Sequence, residues 1–435
     1  MTVNFIENSP RLLSIKEMLV RMDQGRLSAQ ALVRDCIERI KAREHEVHAW
    51  VYIDADLALK MARELDRRPR RGLLQGIPVG VKDVIDTFDQ PTAYNSPIYA
   101  GHVPAGDAGC VAMLRAAGAV ILGKTVTAEF ASSHPGNTRN PHNLAHTPGG
   151  SSSGSAAAVA DSMVPVALGT QTGGSVIRPA SFCGIVGFKP SFGLSTRTGV
   201  KQLSDSLDTV GVFARTVADA AIFTAALSGR NEFAEIRESA RPRVGIFDMS
   251  TWPQRETSTD HALTEARQFL AANDCNIRQC ALPAAFDAFT AAHHAIEFFE
   301  LARALQHEYR AHADRLTAGL RDRIEDGLKI PGSTYEKALA DVQSWRIAID
   351  QLFVDVDVLL VPSAPGEAPA GLTTTGKATF NRLWTLLGLP AITLPWTRGP
   401  QGLPVGIQLV GGYRQDQNLL AHADSIFRSR ERDQR

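Results

Sequence analysis

Short apolar runs rich in β-branched residues recur along this 435-residue chain, separated by stretches with helical spacing. The runs at 77–81, 119–123, 164–168, 185–190, 243–247, 357–362, 391–395 and 404–410 read as strands. Segments 107–117 and 155–161 read as helices, the second small and alanine-rich enough to pack tightly. Such alternation argues for an α/β fold, a mixed sheet covered by helices on both faces.

The first seventy residues look helical, with Leu32, Cys36, Ile37 and Ile40 at helical spacing behind Ser28 as N-cap. A second helix is expected over 54–65, and the basic run 67–71 after it reads as a solvated loop. Residues 284–353 are mostly helical, with a break at Pro331-Gly332. Length alone suggests roughly two or three domains. No repeat or low-complexity linker separates the parts, so one domain over 1–435 accounts better for the pattern. Its parts are a helical segment (1–70), a core (71–230), a helical insertion (284–353) and strands that complete the sheet (354–435).

With 44% hydrophobic and 21% charged residues the chain can bury a core. Lys plus Arg and Asp plus Glu both total 46, so nothing favours nucleic acid or an acidic membrane as a partner. Cys36, Cys110, Cys183, Cys275 and Cys280 lack C-x-x-C spacing, which argues against zinc and fits a reducing compartment. The N-terminal residues lack a basic region followed by an apolar signal core, and no stretch has the apolar length of a membrane span. A cytoplasmic protein without cofactor or metal is the expectation.

Chemistry concentrates in 146–192. Two Gly/Ser loops, Gly149-Gly150-Ser151-Ser152-Ser153-Gly154 and Thr172-Gly173-Gly174-Ser175, flank an apolar segment, and Lys82 ends the run at 77–81. Serine needs an adjacent base to act as a nucleophile at neutral pH. His134, His142 and His146 lie nearest but read better as polar loop residues. The G-x-S-x-G elbow fails because Ile177 stands where glycine is required, and no Walker loop occurs. A lysine can be the base where burial lowers its pKa, and Lys82 follows an apolar strand. Taken alone Lys82 reads as a core-edge lysine paired with Asp83 or Asp86; beside two Ser/Gly loops the catalytic reading is preferred. N–H groups of Thr172, Gly173, Gly174 and Ser175 are candidates to hold an oxyanion.

From Gly76-Ile77-Pro78-Val79-Gly80-Val81-Lys82-Asp83 to Gly402-Leu403-Pro404-Val405-Gly406-Ile407-Gln408 the chain resembles the amidase signature family of serine hydrolases. The resemblance implies that family's fold and its Ser-cisSer-Lys triad, with Ser175 as nucleophile, Lys82 as base and a bridging serine after a cis peptide bond. The family's fixed interval selects Ser151 over Ser152 or Ser153. It also implies an acyl-enzyme, an oxyanion site at Thr172, Gly173 and Gly174, loss of activity at acid pH, and a homodimer. Many members carry Asp where this chain has Gln171. The run Gly169-Thr170-Gln171-Thr172-Gly173-Gly174-Ser175-Val176-Ile177-Arg178-Pro179-Ala180, with Pro148-Gly149-Gly150-Ser151-Ser152-Ser153-Gly154-Ser155 and Asn381-Arg382-Leu383-Trp384-Thr385, is similar to the bacterial malonamidase branch, which implies that Arg178 binds a substrate carboxylate; a structural arginine is the alternative. The implied substrate is a small carboxamide, such as malonamate or an aryl or acyl amide, with a pocket near the loop before Ser151, Phe298, Phe299, Leu301 and 373–384. Competing expectations are the amidase subunit of a tRNA-dependent amidotransferase and a non-catalytic scaffold.

Overall fold

The computed structural model describes residues 9–69, 72–132, 134–237 and 241–433. The eight apolar runs become strands of one 11-stranded sheet; three further strands, at 50–53, 209–214 and 276–280, lie outside those runs, and the first interrupts the N-terminal segment expected to be helical. In chain order the strands are β1 (Trp50–Ile53), β2 (Pro78–Lys82), β3 (Val120–Thr125), β4 (Val166–Gln171), β5 (Val186–Lys189), β6 (Thr209–Ala214), β7 (Arg243–Phe247), β8 (Asn276–Cys280), β9 (Val358–Pro362), β10 (Ala391–Arg398) and β11 (Pro404–Val410). Their spatial order is β1-β3-β2-β4-β6-β5-β10-β11-β9-β7-β8. The sheet is mixed. β3, β2 and β4 run parallel, as do β9, β7 and β8, while the strands between pair antiparallel. Every residue of β2, β3, β4, β5, β6, β9 and β11 is buried, as strands covered by helices on both faces must be.

Local chemistry sets the helix boundaries. The Ser28 hydroxyl accepts from Ala31 N and opens the helix Ala29–Val47, whose Leu32, Cys36, Ile37 and Ile40 are buried. Asp54 caps Ala55–Asp66 in the same way. Arg67 and Arg68 are exposed beyond it, while Arg70 and Arg71 of the basic run lie outside the described residues. The region 284–353 forms helices Phe286–Ala304, Gln306–His312, Ala318–Lys329 and Gly332–Asp355, with Pro331 as N-cap of the last. The C-terminal region holds more than strands, for Arg382–Leu386 and Asp416–Asp433 are helical. No helix among the described residues is long and apolar enough to cross a membrane.

β2 and β4 lie side by side and parallel, with Val81 opposite Leu168. Lys82 and the pair Thr170 and Gln171 therefore finish at the same edge of the sheet, where parallel α/β sheets place their ligands.

Candidate active site

Lys82 is fully buried, and its Nζ lies 2.8 Å from Ser151 Oγ and 2.8 Å from Thr170 Oγ1. It is not the partner of Asp83 or Asp86: Asp83 faces Lys124 at 3.4 Å, and Asp86 accepts from the Tyr94 hydroxyl. Burial pushes the Lys82 ammonium down to about 7; the carboxylate of Asp208 opposes the shift and Arg178 adds to it. Ser151 follows a cis peptide bond from Gly150. Its neighbours are engaged with backbone. Ser152 Oγ donates to Thr170 O and Ser153 Oγ to Val126 O. Of the three consecutive hydroxyls only that of Ser151 meets the lysine. Gly154, which follows in the helix Ser153–Ala160, is required by close approach, since a Cβ there would overlap Ala49 O and Val126 N.

The second loop leaves β4 and turns into the helix Ile177–Phe182. Gln171 shapes it. Its Oε1 accepts from Val176 N (2.8 Å) and Ile177 N (3.1 Å), and its Nε2 donates to Thr385 Oγ1, which in turn donates to Gly173 O. The Thr172 hydroxyl donates to Asp208, and Thr172 O lies 3.0 Å from His293 Nε2. Burial lowers His293 to about 4, so it is neutral at pH 7 and can donate to that carbonyl. With these anchors spent, the N–H groups of Gly173, Gly174 and Ser175 donate to no acceptor among the described residues. A Cβ on Gly174 would overlap Asn381 Oδ1, so glycine lets the loop press against the 381–385 segment.

Thr172, Gly173, Gly174, Ser175 and Arg178 line one cavity of about 360 Å³. Its other walls come from Ala131 and Ser132, the 373–379 segment, Arg382, and Glu297 and Arg323 of the helical insertion. Arg178 is nearly buried. Its guanidinium donates to Gly150 O and Thr375 Oγ1, and its buried Nε has no partner among the described residues. Glu297 is held by Arg323 at 2.8 Å and faces His293 at 3.4 Å. Burial alone would raise the Glu297 carboxyl, but neighbouring cations, Arg323 first and then Arg382, outweigh it and hold it below its ordinary value.

Several expected wall residues lie elsewhere. Leu301 packs in the main core, Phe299 stacks on Tyr335 at 4.1 Å, and Phe298 sits between His294 and Arg323. Helix geometry turns Glu297, not the phenylalanines, to the cavity. Of the expected 373–384 wall, 373–379 and Arg382 face it, whereas Trp384 is buried in the second apolar cluster. The loop before Ser151 does not line it. His142 and His146 bond to the carbonyls of Cys183 and Ala368, and His134 lines a different hollow. Among the described residues no group of three or more His, Cys, Asp or Glu is placed to hold a metal. Sequence reasoning assigned no role to Thr170, Asp208, His293, Glu297, Arg323, Arg382 or Thr385. Of these, Thr170, Arg382 and Thr385 stand in motifs quoted for their resemblance alone.

A family model described as Amidase matches residues 31–420. The chain belongs to the amidase family. Like its relatives, this amidase acts on carbon–nitrogen bonds of amides. A glutamyl-tRNA(Gln) amidotransferase subunit from Nostoc punctiforme is 34% identical over 467 residues, covering 94% of this chain and 96% of that protein. A crystal structure of an amidase superposes with a TM-score of 0.88 at 30% identity, covering 96% of this amidase and 100% of that chain. Native peptide amidase from Stenotrophomonas maltophilia superposes with a TM-score of 0.80 at 28% identity, covering 97% of each chain.

Proposed function

We propose that this amidase hydrolyses a small carboxamide bearing a carboxylate, malonamate being the simplest example, through Lys82, Ser151 and Ser175. The observation that carries the reading is a sealed lysine with depressed basicity 2.8 Å from a serine hydroxyl. Uncharged Lys82 takes the Ser151 proton as Ser151 takes that of Ser175. No hydrogen bond joins Ser151 to Ser175 among the described residues, so the relay requires the Ser175 hydroxyl to turn towards Ser151. Ser175 Oγ then attacks the amide carbonyl. The N–H groups of Gly173, Gly174 and Ser175, with that of Thr172, receive the oxyanion. The proton held by Lys82 returns through Ser151 to the leaving nitrogen, and the C–N bond breaks. Water, deprotonated by the same relay, releases the carboxylate product and restores Ser175.

Arg178 supports an anionic substrate, because its nearly buried guanidinium borders the cavity and has no carboxylate partner among the described residues. The second reading, an amidotransferase subunit that releases ammonia from glutamine, is favoured by the 34% identity to such a subunit. Glutamine would bring an α-ammonium group into a cavity whose lining carboxylate, Glu297, is already paired with Arg323. The test is labelling of Ser175 by a fluorophosphonate, followed by a panel of malonamate, glutamine, an aryl amide and propionamide. Labelling with malonamate preferred is the expected result. No labelling sinks the catalytic reading, and a preference for glutamine transfers it to the second.

A further inference from the structure

The walls of the cavity carry Arg178, Arg323, Lys377 and Arg382 against the lone carboxylate of Glu297. One oxygen of that carboxylate is paired with Arg323, and the other lies 3.4 Å from His293 Nδ1. No ion pair joins Glu297 to Arg382 among the described residues, and Arg382 Nε is buried without a partner. Arg178 Nε is in the same condition. The two guanidiniums act on each other, for Arg382 is the charge that helps push Arg178 down to about 9 after burial has done most of it. Two like charges facing one low-dielectric space repel, and an anion between them removes the repulsion.

Arg382 also lies close to the reacting centre. A Cβ built on Gly173 would lie 3.6 Å from Arg382 Cγ and 3.7 Å from Arg382 Nε. Arg382 thus runs along the loop whose N–H groups surround the reacting carbonyl. Arg178 reaches the same cavity beside Gly150 O and Thr375. An anion held by both is close to the scissile bond.

We propose that Arg382 is a specificity-determining residue, the second arm of a two-arginine clamp that selects amides whose carboxylate lies a short acyl chain from the scissile carbonyl. The inference rests on the hydrolase reading above and adds to it the residue that sets the substrate class. It also gives a reason for exclusion, since a cation on the substrate would meet Arg382.

The experiment measures kcat/KM for malonamate and for propionamide, together with protection of Ser175 from a neutral fluorophosphonate by malonate. The wild type, Arg382→Gln and Arg382→Lys are compared. The expected result is that malonate protects the wild type, and that Arg382→Gln lowers the malonamate-to-propionamide ratio at least tenfold, mainly through KM. Arg382→Lys, which keeps the charge and loses the fork, recovers part of the ratio. If the wild type prefers malonamate and Arg382→Gln keeps that preference, the inference is overturned while the hydrolase reading stands. If Ser175 is not labelled in the wild type, both fall. Should the glutamine variant not fold, failure of malonate to protect the wild type, or full retention of protection in Arg382→Lys together with Arg382→Met, overturns it.

Discussion

An acid limb in the pH–rate profile is the sharpest consequence of the buried lysine. The proposed reaction needs the uncharged amine, and burial pushes its pKa down to about 7 from the ordinary 10.5. About half of the molecules are then competent at pH 7, about one-tenth at pH 6 and about one-hundredth at pH 5. At its ordinary pKa fewer than about one lysine in a thousand would be uncharged at pH 7. Protonation removes the base, so activity falls as pH falls through the folded-state value and levels off above it. The assay is kcat/KM for propionamide between pH 5 and 9, with the rate of Ser175 labelling by a neutral fluorophosphonate as a second readout. Neither probe titrates, so the limb belongs to the enzyme. A slope of about one log unit per pH unit below a midpoint near 7 is expected. Lys82→Ala should abolish the limb along with most of the activity. A flat profile from pH 5 to 8, or a midpoint near that of free lysine, would refute the reasoning.

Other perturbations test neighbouring parts of the site. Ser175→Ala should end labelling altogether, while Ser151→Ala should slow it by roughly 10²–10⁴ with the fold retained by circular dichroism. Arg178→Met removes a positive charge that disfavours the Lys82 ammonium, so the acid limb should move to higher pH. Gln171→Ala frees the N–H groups of Val176 and Ile177 and cuts the link to Thr385; a loss of about 1–3 kcal/mol in urea unfolding and a fall in kcat are expected. Gly174→Ala forces a methyl group against Asn381 and Ala378 and should cost about 1–3 kcal/mol, read as a lower melting temperature with impaired kcat.

Much of the sheet was legible where burial on both faces demanded an unbroken apolar run, as in β2, β3 and β11, though the equally buried β6 was missed. β8 escaped notice because it is a polar edge strand, Asn276–Cys280, with little buried surface to impose a pattern. The helix Val217–Ser228 escaped for the opposite reason: it is buried on nearly all sides, so no apolar stripe marks its period. Pro179 hid the short helix Ile177–Phe182, within which it sits in the first turn. At the candidate site, Lys82 at the end of an apolar run and the two Gly/Ser loops stood out locally, whereas the choice of Ser151 and Ser175 among their neighbours came from the family resemblance. Glu297, Arg323 and Arg382 come from segments more than a hundred residues downstream of Ser175, and their convergence is a property of the fold. The family was legible from the motifs. The proposed malonamidase-like branch is narrower than the similarity to amidotransferase subunits and amidases supports.

Lys82 and the loop bearing Ser175 are carried by neighbouring parallel strands, with Val81 opposite Leu168. The ladder between those strands is therefore a ruler. A slip of one residue shifts Lys82 by about 3.3 Å along its neighbour and points its stem to the other face of the sheet. Turnover reports native pairing in the middle of the sheet, and a folded but inactive fraction after refolding would be the signature of chains that paired one step out of place.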